Sequence, residues 1–153
     1  MNKFFIKPSE DEIVRALESW QWLPIKGKKP FLVTAFGDVF LSGDERIWFL
    51  DTLEGELKDV CGTEAELHAI LQTEEGENDF LLAGFVERAE REGMILGDGE
   101  CYDFTINPVL GGEVEFENVQ VQNFVAAINI AGQIHQIPPG TKISRFTVDG
   151  KEP

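Results

Sequence analysis

The chain has 153 residues, a length that one domain fills and that can bury a core without staples. With 42% hydrophobic residues its composition is globular and not disordered, and no apolar run nears the roughly 20 residues that span a bilayer. Its 28 acids against 13 bases leave a net charge of -15, which sets it against nucleic acid and anionic membrane as partners and in favour of basic ones.

The charge is local. From Asp38 to Glu117 there are 22 acids and 4 bases (Arg46, Lys58, Arg88 and Arg91), whereas the first thirty residues hold 6 bases and 4 acids. Met1 to Pro8 opens like a signal peptide, but Glu10-Asp11-Glu12 arrive before any apolar region forms. No export signal is read there, so the expected location is the cytoplasm. Cys61 and Cys101 show no metal or redox spacing and are expected as free thiols.

In chain order, Ser9 with Glu12 three residues on forms a capping box, and Ile13, Leu17 and Trp20 follow at helical spacing as far as Pro24. The lysines of Lys26 to Pro30 read as a solvated loop. Phe31 to Phe36, Val39 to Leu41, Arg46 to Thr52 and Glu56 to Val60 read as four strands joined by tight turns, an antiparallel meander. Thr63 with Glu66 opens a second helix through Leu67, Ile70 and Leu71. Glu74 to Glu77 is expected as a polar break, with Asn78 or Asp79 capping a third helix that Gly93 ends. Tyr102 to Ile106 predicts a strand, and Glu113 to Phe116 an exposed edge strand. Asn118 to Ile137 carries no charged residue, and its apolar stripe predicts a central core helix capped by Asn118 and stopped by Pro138-Pro139-Gly140. The tail, residues 138–153, is expected to add one short strand and then fray. The fold class expected is therefore α+β, an antiparallel meander packed with helices, in one domain over residues 1–153.

Catalytic constellations are largely excluded. The two histidines, His68 and His135, show no zinc or di-iron spacing; His68 reads as surface and His135 as a partner of its helix C-terminus. Ser9, Ser19, Ser42 and Ser144 lack a nucleophile elbow, and no phosphate-binding glycine loop occurs. Asp98 to Asp103 superficially suggests calcium, but its acids fall out of register for a calcium loop. No cofactor or metal is implied. Paired carboxylates remain the one enzyme-like option, and they need a cleft that sequence cannot show.

Two segments carry a family likeness. Thr34-Ala35-Phe36-Gly37-Asp38-Val39-Phe40 is one block, and Glu100-Cys101-Tyr102-Asp103-Phe104 through Leu110-Gly111-Gly112 to Glu117-Asn118-Val119 is the other. In order and spacing they resemble the C-terminal domain of type VI secretion DNase-immunity proteins, over residues 30–136, with residues 1–29 forming an N-terminal helix and loop. The chain departs from that pattern at Asp103, where the family more often has Gly, and at Asn107-Pro108-Val109-Leu110. The glycines and Asn118 of these blocks suit turns and a cap, so the blocks mark fold and not an active site.

The resemblance implies a cytoplasmic, non-enzymatic immunity protein that binds a cognate toxin, a nuclease being the natural match for an acidic surface. Asp98, Glu100, Asp103, Glu113, Glu115 and Glu117 are the expected contact residues. Two other readings stay open: an orphan regulatory or small-ligand-binding domain with a pocket lined by Tyr102 and Trp48, and a carboxylate-based hydrolase.

Overall fold

A computed structural model describes residues 2–138, 141 and 146–148. The expected α+β class is what it shows: an antiparallel five-stranded meander, a two-stranded hairpin and five α-helices among the described residues. The strands run β1 (Phe5–Ile6), β2 (Lys29–Thr34), β3 (Val39–Gly43), β4 (Arg46–Asp51) and β5 (Glu56–Cys61), each paired with the next. β1 went unread because two residues are too few to show a period.

Both faces of the meander are buried, which is why β3 and β4 are apolar without alternation. Val39, Leu41 and Leu50 turn to one face, beneath α1 (Glu10–Leu17) and α5 (Phe124–His135). Phe40, Ile47 and Phe49 turn to the other, beneath α2 (Glu64–Leu71) and α3 (Glu74–Leu81). α1 has the expected Ser9–Glu12 capping box, and a short 3-10 turn, Glu18–Trp20, extends it. Trp20 Nε1 donates to the Ile128 carbonyl at 2.8 Å and Asn129 Nδ2 to the Arg15 carbonyl at 2.8 Å, locking α1 to α5. α5 is buried almost all round, as its lack of charge required.

Three local expectations are corrected. Glu74 to Glu77 is no break: Thr73, not Asn78 or Asp79, caps α3, and Glu74, Glu75 and Glu77 lie in its first turn at the positive end of the helix dipole. Phe80 overrides the polar composition by packing edge-on to Phe49 at 5.0 Å. The third helix is instead α4 (Ala83–Arg91), separated from α3 by Leu82, whose φ of 50° is left-handed; Gly93 does end it.

The second correction concerns the neutral stretch. Its first part is β7 (Val119–Asn123), paired antiparallel with β6 (Glu100–Phe104), and Asn123 caps α5 through Ala126 N at 2.9 Å. Val119 and Val121 alternate with Gln120 and Gln122 at period two, a signal hidden inside a longer apolar run. Third, Glu113 to Phe116 forms no strand among the described residues, because nothing pairs with it; a 3-10 turn, Phe116–Asn118, follows. In the tail, Val148 is buried in the first core cluster and the Thr147 carbonyl accepts from Gln133 Nε2 at 2.6 Å. The short strand and the fraying expected of the tail fall largely on residues outside the described ones.

Gly76 tests the α2–α3 corner. Helix propensity alone predicts that Gly76→Ala gains up to about 1 kcal/mol. The corner predicts a loss, since a Cβ would collide with the Ile70 carbonyl group, whose carbon lies 2.8 Å away. The expected outcome is a net destabilisation of about 1–3 kcal/mol, read as a lower urea midpoint.

Candidate functional site

The first sequence block forms the tight turn between β2 and β3. Gly37 has a φ of 86°, and its missing side chain leaves room for Ile128 of α5. Ala35 N donates to the Phe4 carbonyl at 2.7 Å, and the Ala35 carbonyl accepts from Tyr102 N at 2.8 Å. Phe36 meets Tyr102 and Phe104 at 5.6 Å each and Phe85 at 6.2 Å. One turn thus gathers the N-terminal strand, the hairpin and α4.

Asp38 closes this turn from inside. It is only 5% exposed, and its Oδ1 accepts from Thr52 N at 2.8 Å and Thr52 Oγ1 at 2.6 Å. Burial, with the charge of Asp51 in support, pushes its carboxyl up to about 7 against the pull of the Thr52 hydrogen bonds. Asp103 borders the same cavity, and burial raises it to about 6. The cavity is about 20 Å³, walled by Phe36, Leu53, Ile128 and Pro108 among others. That volume holds one water molecule and no substrate. Asp51, beside it, is held by Lys58 Nζ at 2.9 Å and by the Leu53 and Glu54 amides.

The six acids expected at a contact surface do not form one patch. Asp98 and Glu100 lie at one end of β6, in a cleft of about 340 Å³ shared with Lys3, Lys7 and Glu90. Asp103 sits half-buried in the small cavity, so it presents little to a partner. Glu113, Glu115 and Glu117 are exposed together in the β6–β7 connection, beyond the other end of β6. A strand of this length sets the two groups roughly 13 Å apart. Glu115 and Glu117 flank a groove of about 540 Å³ with Phe85, Arg88 and Phe116. Arg88 stacks on the Phe116 ring at 4.3 Å and pairs with Glu117 at 3.5 Å.

The expected pocket of Tyr102 and Trp48 does not form. Tyr102 belongs to the second core cluster, its hydroxyl donating to the Met94 carbonyl at 2.6 Å, while Trp48 packs against the first cluster under Lys28. His68 is exposed, as read; His135 is half-buried, packs with its ring tilted against Trp20 at 5.6 Å and donates through Nε2 to the Thr52 carbonyl at 2.9 Å. Both cysteines are free and buried. Among the described residues, no cluster of three or more His, Cys, Asp or Glu side chains is placed to hold a metal ion, and no helix is long and apolar enough to cross a membrane.

Sequence reasoning missed an apolar surface. Ile106, Val109, Leu110 and Val114 are 43–56% exposed, all in the β6–β7 connection, with the three glutamates beside them. Their signal was present: Val109 and Leu110 lie between Asn107-Pro108 and Gly111-Gly112, with Ile106 and Val114 just outside, in a segment whose turn formers forbid a core strand. The connection is held firmly. Asn118 does not cap a helix as expected; its Oδ1 accepts from Ile106 N at 3.0 Å, and its Nδ2 donates to the carbonyls of Ile106 and Glu113 at 2.8 and 2.9 Å. Gly112 packs against the Ile106 carbonyl so closely that no Cβ fits.

The described residues form a small acidic α+β domain with this aliphatic and acidic connection at its surface. Residues 63–135 match the family of T6SS immunity protein Tdi1, C-terminal. The match bears out the resemblance over the second sequence block; the first block lies before it. None of the curated proteins matches. Among solved structures, the crystal structure of Atu4351 from Agrobacterium tumefaciens is similar with a TM-score of 0.47 and 19% identity, over 84% of this chain and 65% of that chain. The chain therefore spans less than two thirds of that protein's length.

The Asp38 carboxyl titrates higher in the folded chain, at about 7, than at its ordinary value of 3.8, so between those values the folded state binds more protons than the unfolded one. Its contribution to stability is greatest below the ordinary value and is lost as pH rises through about 7. Asp38→Asn, which keeps the Thr52 hydrogen bonds available, should flatten the fall in urea midpoint between pH 5 and 8 relative to the wild type. The differential should be on the order of a few kcal/mol.

Proposed function

We propose that this chain is a cytoplasmic immunity protein that binds a cognate protein toxin and neutralises it by covering a basic face, the toxin being of the nuclease class. The observation that carries the reading is the family match over residues 63–135, a family of type VI secretion immunity proteins. The charge distribution supports it. A nuclease must present bases to its substrate, and the base-poor middle of this chain complements such a face. The interior supports a binding role over a catalytic one, because the two carboxyls with raised affinity for protons enclose space for a single water.

Electrostatic complementarity acts first on encounter. Glu113, Glu115 and Glu117 are exposed on one connection and form the natural acidic contact; Asp98 and Glu100 form a second, separate one. Of the six acids, Asp103 contributes from beneath, by its place in the cavity wall.

The test is purification of the toxin encoded beside this chain's gene, followed by binding measurements and rescue of cells expressing that toxin. Binding with rescue is the expected result; a toxin left unbound and cells left dying would sink the proposal. Charge reversal of Glu113, Glu115 and Glu117 to Lys should slow association by about ten-fold or more at low salt, with the difference shrinking at high salt. An unchanged association rate would remove these residues from the contact.

A further inference from the structure

We propose that the β6–β7 connection is the element that docks into the basic protein partner, with Val109 and Leu110 seated in an apolar hollow of that partner and Glu113, Glu115 and Glu117 meeting the bases around it. This inference rests on the immunity reading and specifies where and how the toxin is held.

Four of the seven large apolar side chains that stay exposed among the described residues fall in this one connection; Val14, Trp22 and Ile95 are scattered elsewhere. Exposed aliphatic groups gathered on one loop, with charges around them, mark an interaction site more than chance surface. The loop is also pre-formed. A 3-10 turn, Pro108–Leu110, is closed by Val109 N donating to Asn107 Oδ1 at 2.9 Å, and Gly112 N donates to the Asn107 carbonyl at 3.2 Å. With Asn118 fastening both ends, the aliphatic tip is held out in water without help from a core. A partner that covers it removes that surface from water and orders little that is not ordered already.

Charge selects the occupant. The segment from Thr105 to Asn118 contains three acids and no base, and the nearest cation, Arg88, already pairs with Glu117 and stacks on Phe116. A second copy of this chain would bring the same three acids against them, on a molecule of charge -15. A basic protein would not.

The double variant Val109→Asp/Leu110→Asp should bind the purified neighbouring toxin at least about thirty-fold more weakly than the wild type in calorimetry. Val14→Asp, which adds one charge on the exposed side of α1, should stay within about three-fold, the span of ordinary surface changes. Matching melting curves establish that the double variant is folded. A second readout needs no substitution: amide hydrogen exchange of residues 106–115 should slow in the wild-type complex. Binding by the double variant equal to the wild type, or exchange unchanged across 106–115, overturns the docking inference and leaves the immunity reading standing. A wild-type chain that ignores the toxin overturns both. A concentration-dependent dimer in light scattering that the double variant abolishes overturns it in favour of self-association.

Discussion

The rest of the structure hangs on the backbone of one residue. Ala35 gives its N–H to the Phe4 carbonyl just ahead of β1 and its own carbonyl to Tyr102 of the hairpin, so segments separated by about a hundred residues of chain meet at a single residue. The side chains on either side serve the same junction. Phe36 sits at the centre of the aromatic cluster that holds α4, and Gly37 lets the neutral helix approach to contact distance. Any side chain at Gly37 would meet both a strained backbone and Ile128.

That junction explains why carboxyls are buried in so acidic a protein. Asp38 is placed inside by the turn, and its hydrogen bonds to Thr52 tie the β2–β3 turn to the end of β4. The tie carries an electrostatic penalty that grows as pH rises, because burial opposes the charged form. The remaining acids are nearly all at the surface, where solvation is cheap and the negative field reaches a partner over about 8 Å at physiological salt. Core and surface thus use the same residue type for opposite purposes.

The segments that carry the family likeness are scaffold. Gly112 and Asn118 shape the β6–β7 connection, and Ala35, Phe36 and Gly37 shape the junction. The tip of that connection, Asn107-Pro108-Val109-Leu110, is solvent-facing at Val109 and Leu110.

Much of this was legible in the sequence by itself. The β2–β5 meander, the Ser9 and Thr63 caps, the Gly93 stop and the neutral core helix all follow from period, capping chemistry and charge, which act within a few residues. Tertiary structure decided the rest. α3 exists because Phe80 finds Phe40 and Phe49 across the sheet, and β7 is a strand because β6 is there to pair with it. The same holds for the acids: sequence showed six candidates in a base-free stretch, and folding turned Asp103 into the small cavity, half-buried, parted Asp98 and Glu100 from the other three, and set the glutamates beside an aliphatic tip. Local rules choose helices and turns, but which groups share a surface depends on contacts between residues far apart in the chain, and one sequence carries no pattern of short period from which to read those.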